Sequence, residues 1–270
     1  MLKRVTGEPV VGKQAPRPAS DKIVILMYHS LDESGSVVSV SPRDFADQVS
    51  LLADSGFRAI SLREALQYRS LHGAWPGKCA VITFDDGYAN LYEYALPVLS
   101  RYGFTSTIFI ISGYMGGRND WGPPPPGLGD LEILSWGQAA EMAAAGMEIG
   151  AHTRSHLNLE RLSDDEAKDE IISSRIEIED RLGLPVDSFA YPFGNVSDSH
   201  VEVARKEFKA ACTTVLRRAG DEAPHRLPRV DMYYIRSNQN LKTLLSGRLD
   251  NYLAIRRLGR TARRMFAPSR

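Results

Sequence analysis

The chain has 270 residues, 33 basic and 33 acidic side chains and 43% hydrophobic residues, an ordinary globular composition with room for a large core. The even charge balance gives no global field for nucleic acid, and two cysteines, Cys79 and Cys212, both in apolar runs, argue against a disulfide framework and for buried thiols. No apolar run reaches membrane-spanning length and no leader-like stretch precedes Ile23, so a cytoplasmic protein is the expectation.

In chain order, residues 1–20 carry Pro9, Pro16 and Pro18 and read as a loose arm. Ile23 to Met27 is an apolar strand running into Tyr28-His29-Ser30. Ser41-Pro42 opens an amphipathic helix closed by Gly56. The strand Phe57 to Ile60 leads to a capping box, Ser61 with Glu64, and a second helix. Next comes Val81-Ile82-Thr83-Phe84-Asp85-Asp86-Gly87, a buried strand ending in two carboxylates and a glycine free to turn. A helix through Tyr92, Leu96 and Leu99 stops at Gly103, and a strand spans Thr105 to Ile111.

Residues 112–130, rich in glycine and holding four consecutive prolines and Trp121, form a long irregular insertion. Ser135 to Ala145 is a helix. Met147 to Gly150 is a strand running into His152, and Ser163 with Glu166 caps a long helix to Leu182. Strands at Ser188–Phe193, Ala210–Val215 and Arg226–Met232, with a helix at Ser197–Phe208, complete the pattern. This strand–helix alternation predicts a parallel (β/α) barrel, seven-stranded and irregular, over residues 21–247. The Gly/Pro-rich loop falls on its catalytic rim.

In such a barrel, active groups sit at the C-terminal ends of strands. His29, Asp85-Asp86, His152 and Phe193-Gly194 all fall there. A lone Asp-Asp-Gly is usually a solvated turn, and two adjacent carboxylates repel unless a cation or proton lies between them. His152 and His156 are four apart. If the chain turns helically after the strand, both imidazoles reach one ion, with Asp86 as third ligand. Two imidazoles and one carboxylate leave an open position, as at catalytic zinc.

Thr83-Phe84-Asp85-Asp86-Gly87, His152 to His156 and Tyr191-Pro192-Phe193-Gly194 resemble, in order, three motifs of the polysaccharide deacetylase family, carbohydrate esterase family 4. Met27-Tyr28-His29 resembles the branch that deacetylates poly-N-acetylglucosamine, where the acid histidine sits on the first strand. The resemblance implies a metal-dependent carbohydrate N-deacetylase, with Asp86, His152 and His156 holding a divalent metal, Zn2+ foremost. Asp85 would be general base and His29 general acid, and the backbone N–H of Phe193, beside Tyr191, would help hold the oxyanion. The third motif's usual arginine is missing, Ala190 standing in its place, and Arg229 is the candidate substitute; pairing of Arg229 with Asp231 at a barrel rim is the alternative. Trp121 could stack on a sugar or pin its own loop.

The substrate implied is an N-acetylated sugar, oligosaccharide or lipid-linked glycan precursor. A deformylase or other C–N amide hydrolase on the same fold, and a non-catalytic glycan-binding protein on a decayed deacetylase scaffold, are the rival readings. Residues 248–270 hold Arg248, Arg256, Arg257, Arg260, Arg263, Arg264 and Arg270 against a single acid, Asp250. This basic helical tail either packs on the barrel or attaches peripherally to an anionic (inner) membrane.

Overall fold

The structure, a computed structural model, describes residues 19–266, with side chains described to residue 259. Eight strands form the core: β1 (Val24–Tyr28), β2 (Arg58–Ile60), β3 (Cys79–Phe84), β4 (Thr107–Ile110), β5 (Glu148–Ala151), β6 (Ser188–Ala190), β7 (Ala210–Leu216) and β8 (Leu227–Asp231). All pair in parallel. Seven of them, β1-β8-β7-β6-β5-β4-β3, close into a barrel when β3 pairs with β1, Val24 to Tyr28 lying against Ala80 to Phe84. The predicted barrel is therefore present, and its irregularity lies in β2. That short strand pairs with the first half of β3, Arg58 to Ile60 against Cys79 to Val81, while β4 pairs with the second half at Thr83 and Phe84. β2 is a wedge where β3 and β4 splay.

The strands are almost wholly buried because helices cover them from outside: α1 (Pro42–Asp54), α2 (Leu62–His72), α3 (Leu96–Arg101), α4 (Trp136–Ala144), α5 (Asp164–Leu182), α6 (Asp198–Glu207), α7 (Asn238–Leu245) and α8 (Asp250–Phe266). Both expected capping boxes form, Ser61 with Glu64 and Ser163 with Glu166. At the foot of the barrel the carboxylate of Glu148 is buried, and burial raises its pKa. It accepts hydrogen bonds from Ser188 Oγ (2.7 Å), Thr107 Oγ1 (2.7 Å) and the Arg63 N–H (2.9 Å), tying β5, β6, β4 and the start of α2 together.

Cys79 and Cys212 are both buried, as expected; burial pushes the Cys212 thiol up to about 12. Of the expected arm 1–20, only Ala19–Ser20 lies within the described residues, and it pairs with Trp75–Pro76. The insertion is pinned rather than loose: Gly116 N–H donates to Leu134, Ile133 to Gly117, Leu134 to Gly87 and Ala89 to Glu132, laying it across the turn after β3. No described helix is long and apolar enough to cross a membrane.

Candidate active site

The strand ends converge. Phe84 is the last residue of β3, and Asp85 N–H bonds the Tyr28 carbonyl across the barrel seam at 3.0 Å, so His29 and Asp85 emerge side by side. The next residue, Asp86, takes φ +71° and Gly87 φ +75°, a left-handed pair that turns the second carboxylate toward β5. A Cβ on Gly87 would sit 3.0 Å from Ile110 Cγ2, so glycine is required there both for conformation and for space.

The two histidines reach one another by a different route from the helical turn expected. Residues 152–156 form no helix; Thr153 (φ +63°) and His156 (φ +55°) are left-handed, and His156 N–H is held by Thr153 Oγ1 at 3.0 Å. Apart from Lys78, every non-glycine residue with positive φ among those described (Asp86, Thr153, His156 and Phe193) lies in these site segments. Such residues cost about 1–3 kcal/mol each and persist where the surroundings hold them.

Asp86 Oδ1 lies 3.5 Å from His152 Nε2 and 3.4 Å from His156 Nε2, and the three ligand atoms fall within 4.8 Å of one another. Asp86 Oδ1 is buried and makes no hydrogen bond, an uncompensated oxygen facing two ring nitrogens. His152 Nδ1 donates to the Ala190 carbonyl at 2.7 Å, which leaves Nε2 for the cluster. This donor set fits a divalent cation: one carboxylate oxygen and two imidazole nitrogens, aimed at a shared point. Burial alone would raise Asp86, but the nearby His152 imidazole and the charges of His156 and His29 hold its carboxyl well below the usual range. Burial pushes His156 down to about 4, so it is neutral near pH 7. His152 is shifted up: burial works against its charged form, and Asp86 and Asp85 outweigh burial.

Asp85 belongs to a second arrangement. Arg229 lies inside the barrel, wholly buried, and grips the carboxylate with a two-pronged fork, Nη1 to Oδ1 at 2.6 Å and Nη2 to Oδ2 at 2.7 Å. The guanidinium is itself fixed by the Thr213 carbonyl at 3.1 Å and Thr83 Oγ1 at 3.2 Å. The alternative pairing at the rim is replaced, since Asp231 Oδ1 accepts from the Tyr233 N–H and caps the turn after β8. Against the burial that would raise it, Arg229 and His152 keep Asp85 ionised below its ordinary pKa. His29 Nε2 stands 3.9 Å from Asp85 Oδ2, and its side chain is 19% exposed against 3% for Asp85, so the imidazole faces the opening.

Two aromatic rings flank His156: Phe193 at 4.8 Å between centroids, half exposed, and Trp121 at 5.4 Å. Trp121 also contacts Tyr114 (5.3 Å) and Tyr88 (6.2 Å), so it both anchors its loop and borders the site. The Tyr191 side chain is not brought there. It is buried in the core, with its hydroxyl donating to the His225 carbonyl at 3.1 Å, because the expected strand ends at Ala190 and Pro192 begins a turn.

Sequence reasoning missed three supports. Tyr88 is buried next to Asp86; burial and the Asp86 charge push its phenol above the tyrosine range. Glu170 and Glu177 on α5, seven residues apart and so on one helical face, hold the histidine loop from outside. Glu170 Oε2 accepts from the backbone N–H groups of both Arg154 (3.0 Å) and Ser155 (2.8 Å), and Glu177 Oε2 from Ser112 Oγ (2.7 Å). The acidic face of α5 was the available signal, but nothing in it tells a solvated glutamate from one that reaches a loop. Glu170→Ala is expected to weaken divalent-metal affinity about 10–100-fold, measured by chelator competition, with Glu170→Gln, which keeps an acceptor oxygen, restoring most of it.

The polysaccharide deacetylase family model matches residues 72–208, half of the chain. The chain belongs to the polysaccharide deacetylase family. It is 31% identical over 185 residues to the Bacillus subtilis (strain 168) protein YxkH, named as a polysaccharide deacetylase, covering 68% of this chain and 61% of that one. Against the poly-beta-1,6-N-acetyl-D-glucosamine N-deacetylase of Staphylococcus aureus (strain MRSA252) it is 27% identical over 177 residues, covering 62% of this chain and 58% of the relative. It thus spans only 58 to 61% of the length of these curated relatives. Among solved structures, the Streptococcus pyogenes deacetylase PplD in complex with acetate superposes with TM-score 0.71 at 27% identity, over 83% of this chain and 98% of that one. IcaB from Ammonifex degensii gives 0.69 at 27% identity, over 84% and 97%. His29 lies outside the stretch the family model matches, so its place beside Asp85 is known from the fold rather than from that match.

Proposed function

We propose that this polysaccharide deacetylase removes N-acetyl groups from an amino sugar in a glycan or glycan precursor, using a divalent cation held by Asp86, His152 and His156, with Zn2+ the best match to that donor set. The observation that carries this reading is the orphaned, buried Asp86 Oδ1 facing two imidazole nitrogens, next to a second carboxylate held separately. A cation there supplies polarisation of the amide carbonyl and acidification of a water. The chain's own groups do the rest. Asp85, kept ionised and oriented by Arg229, takes the proton of the attacking water. His29, on the open side of Asp85, gives a proton to the departing amine, a poor leaving group without it. The Phe193 N–H, in the left-handed turn after β6, steadies the oxyanion. Trp121 and the Phe193 ring form apolar walls suited to a sugar face. The names of the relatives, a poly-beta-1,6-N-acetyl-D-glucosamine N-deacetylase among them, support an N-acetylglucosamine-type substrate.

The test is acetate release from N-acetylglucosamine oligomers by the metal-loaded protein, with formate measured alongside. Asp85→Asn is expected to lower turnover by about 10²–10⁴-fold while metal binding is retained. Metal bound without acetate release from any N-acetyl sugar would sink the assignment. Formate release would move it to a deformylase, and sugar binding without turnover to a glycan-binding protein.

A further inference from the structure

The last helix does two jobs with two faces. At its start, Asp250 is gripped by Arg218 (2.7 and 2.9 Å) and Lys22 (3.4 Å), Leu249 and Leu253 are buried against the barrel, and Tyr252 donates its hydroxyl to the Tyr234 carbonyl at 3.2 Å. The start of α8 is thus tied both to Lys22, just before β1, and to Tyr234, just after β8. A helix built only to pack would keep its apolar residues in line with Leu253. This one does not: three, four and seven residues on from Leu253 come Arg256, Arg257 and Arg260. The apolar stripe moves to the opposite side instead. Ile255 and Leu258, three residues apart and so on one helical face, are 70% and 68% exposed.

We propose that α8 docks on an anionic lipid bilayer, with the Ile255–Leu258 stripe in the headgroup–acyl boundary and the basic side of the helix, where Arg256 stacks on Tyr252 and Tyr234, drawing it to lipid phosphates by charge. Charge complementarity selects this occupant. The helix carries five arginines and one acid, and that acid is already neutralised by Arg218 and Lys22. Nucleic acid or an acidic protein would use the charge but leave the isoleucine and leucine in water. A bilayer interface uses both faces together. The short length of the stripe and the five arginines of the helix place it on a membrane surface rather than across it.

The experiment is co-sedimentation of the full chain with vesicles of phosphatidylcholine containing about 30% phosphatidylglycerol, against phosphatidylcholine alone, at about 0.1 M salt. Binding to the anionic vesicles is expected to exceed binding to the neutral ones at least tenfold. Ile255→Ser/Leu258→Ser should reduce it at least tenfold while leaving the melting temperature and acetate release from a soluble substrate unchanged, because both side chains point away from the barrel. Arg260→Gln/Arg263→Gln/Arg264→Gln should weaken binding and flatten its salt dependence. Equal binding by the serine variant, equal binding to neutral vesicles, or no binding at all would overturn the proposal. So would a dimer in light scattering that the serine variant dissolves, since a second copy would then be what covers the stripe.

Discussion

Asp86→Ala is expected to yield a folded protein that no longer retains a divalent ion and turns over an N-acetyl sugar at least about 10³-fold more slowly. A cation at such a site is worth several kcal/mol of charge stabilisation, and about 4 kcal/mol corresponds to about 10³ in rate. Stability should move the other way or hardly at all without metal. In the metal-free protein Asp86 Oδ1 is a buried acceptor with no hydrogen bond, so losing it relieves that cost, while the left-handed backbone and its strain are kept by alanine. Lower metal retention with an equal or higher apo melting temperature is thus the paired signature. The same geometry fixes a pH dependence. His156 stays neutral down to about 4, whereas Asp86 and Asp85 shift His152 up against its burial, so on acidification the proton that competes with the metal goes to His152 first. Metal affinity should then drop by about tenfold per pH unit below the His152 pKa, the slope expected for one displaced proton. A chelator-competition titration on the acid side of neutrality reads that slope directly; a flat profile would show that no imidazole proton is displaced.

Much of this architecture can be read from residues, and the failures have identifiable causes. The buried strands announce themselves by apolar runs, and the helix starts by Ser61 with Glu64 and Ser163 with Glu166, because capping chemistry is local. The closure of the barrel is not local. β2 ends up beside the first half of β3 because β4 begins only at Thr107, and no pattern within Arg58–Ile60 encodes that splay. α7 escaped notice because, of its eight residues, only Leu241 and Leu244 are buried, too few to form a stripe. At the site, the spacing of His152 and His156 found the right pair for a partly wrong reason. Four-residue spacing suggested a helical turn, whereas two left-handed residues and a glutamate from α5 make the approach. Tyr191 shows the opposite error: it sits in a functional motif, yet Pro192 turns the chain after it and leaves its side chain in the core.

Arg229→Met should be the most damaging single change away from the metal ligands, costing about 3–5 kcal/mol of stability and lowering turnover at pH 7 about 10²–10³-fold. Among the described residues Arg229 is the one guanidinium on the Asp85 carboxylate, and it holds both oxygens inside a closed barrel. Removing it leaves a buried carboxylate whose burial is no longer outweighed. In the native protein the Asp85 pKa is depressed, so the pair's stabilisation is present above the unfolded carboxylate pKa and lost only as pH falls through the lower folded value. In the variant the depression shrinks or reverses, so Asp85 carries a proton at higher pH and the acid limb of kcat/KM moves upward. Residual activity should therefore climb as pH rises above neutrality. A variant damaged only in its packing would show the native profile at lower amplitude. Arg229→Lys should fall between the two, because an ammonium restores the charge but cannot make the fork. Adding Asp85→Asn to Arg229→Met removes the stranded charge, so the double variant should regain stability over Arg229→Met while staying inactive. A thermodynamic cycle showing no coupling between the two positions would mean that the fork seen inside the barrel does not hold the base.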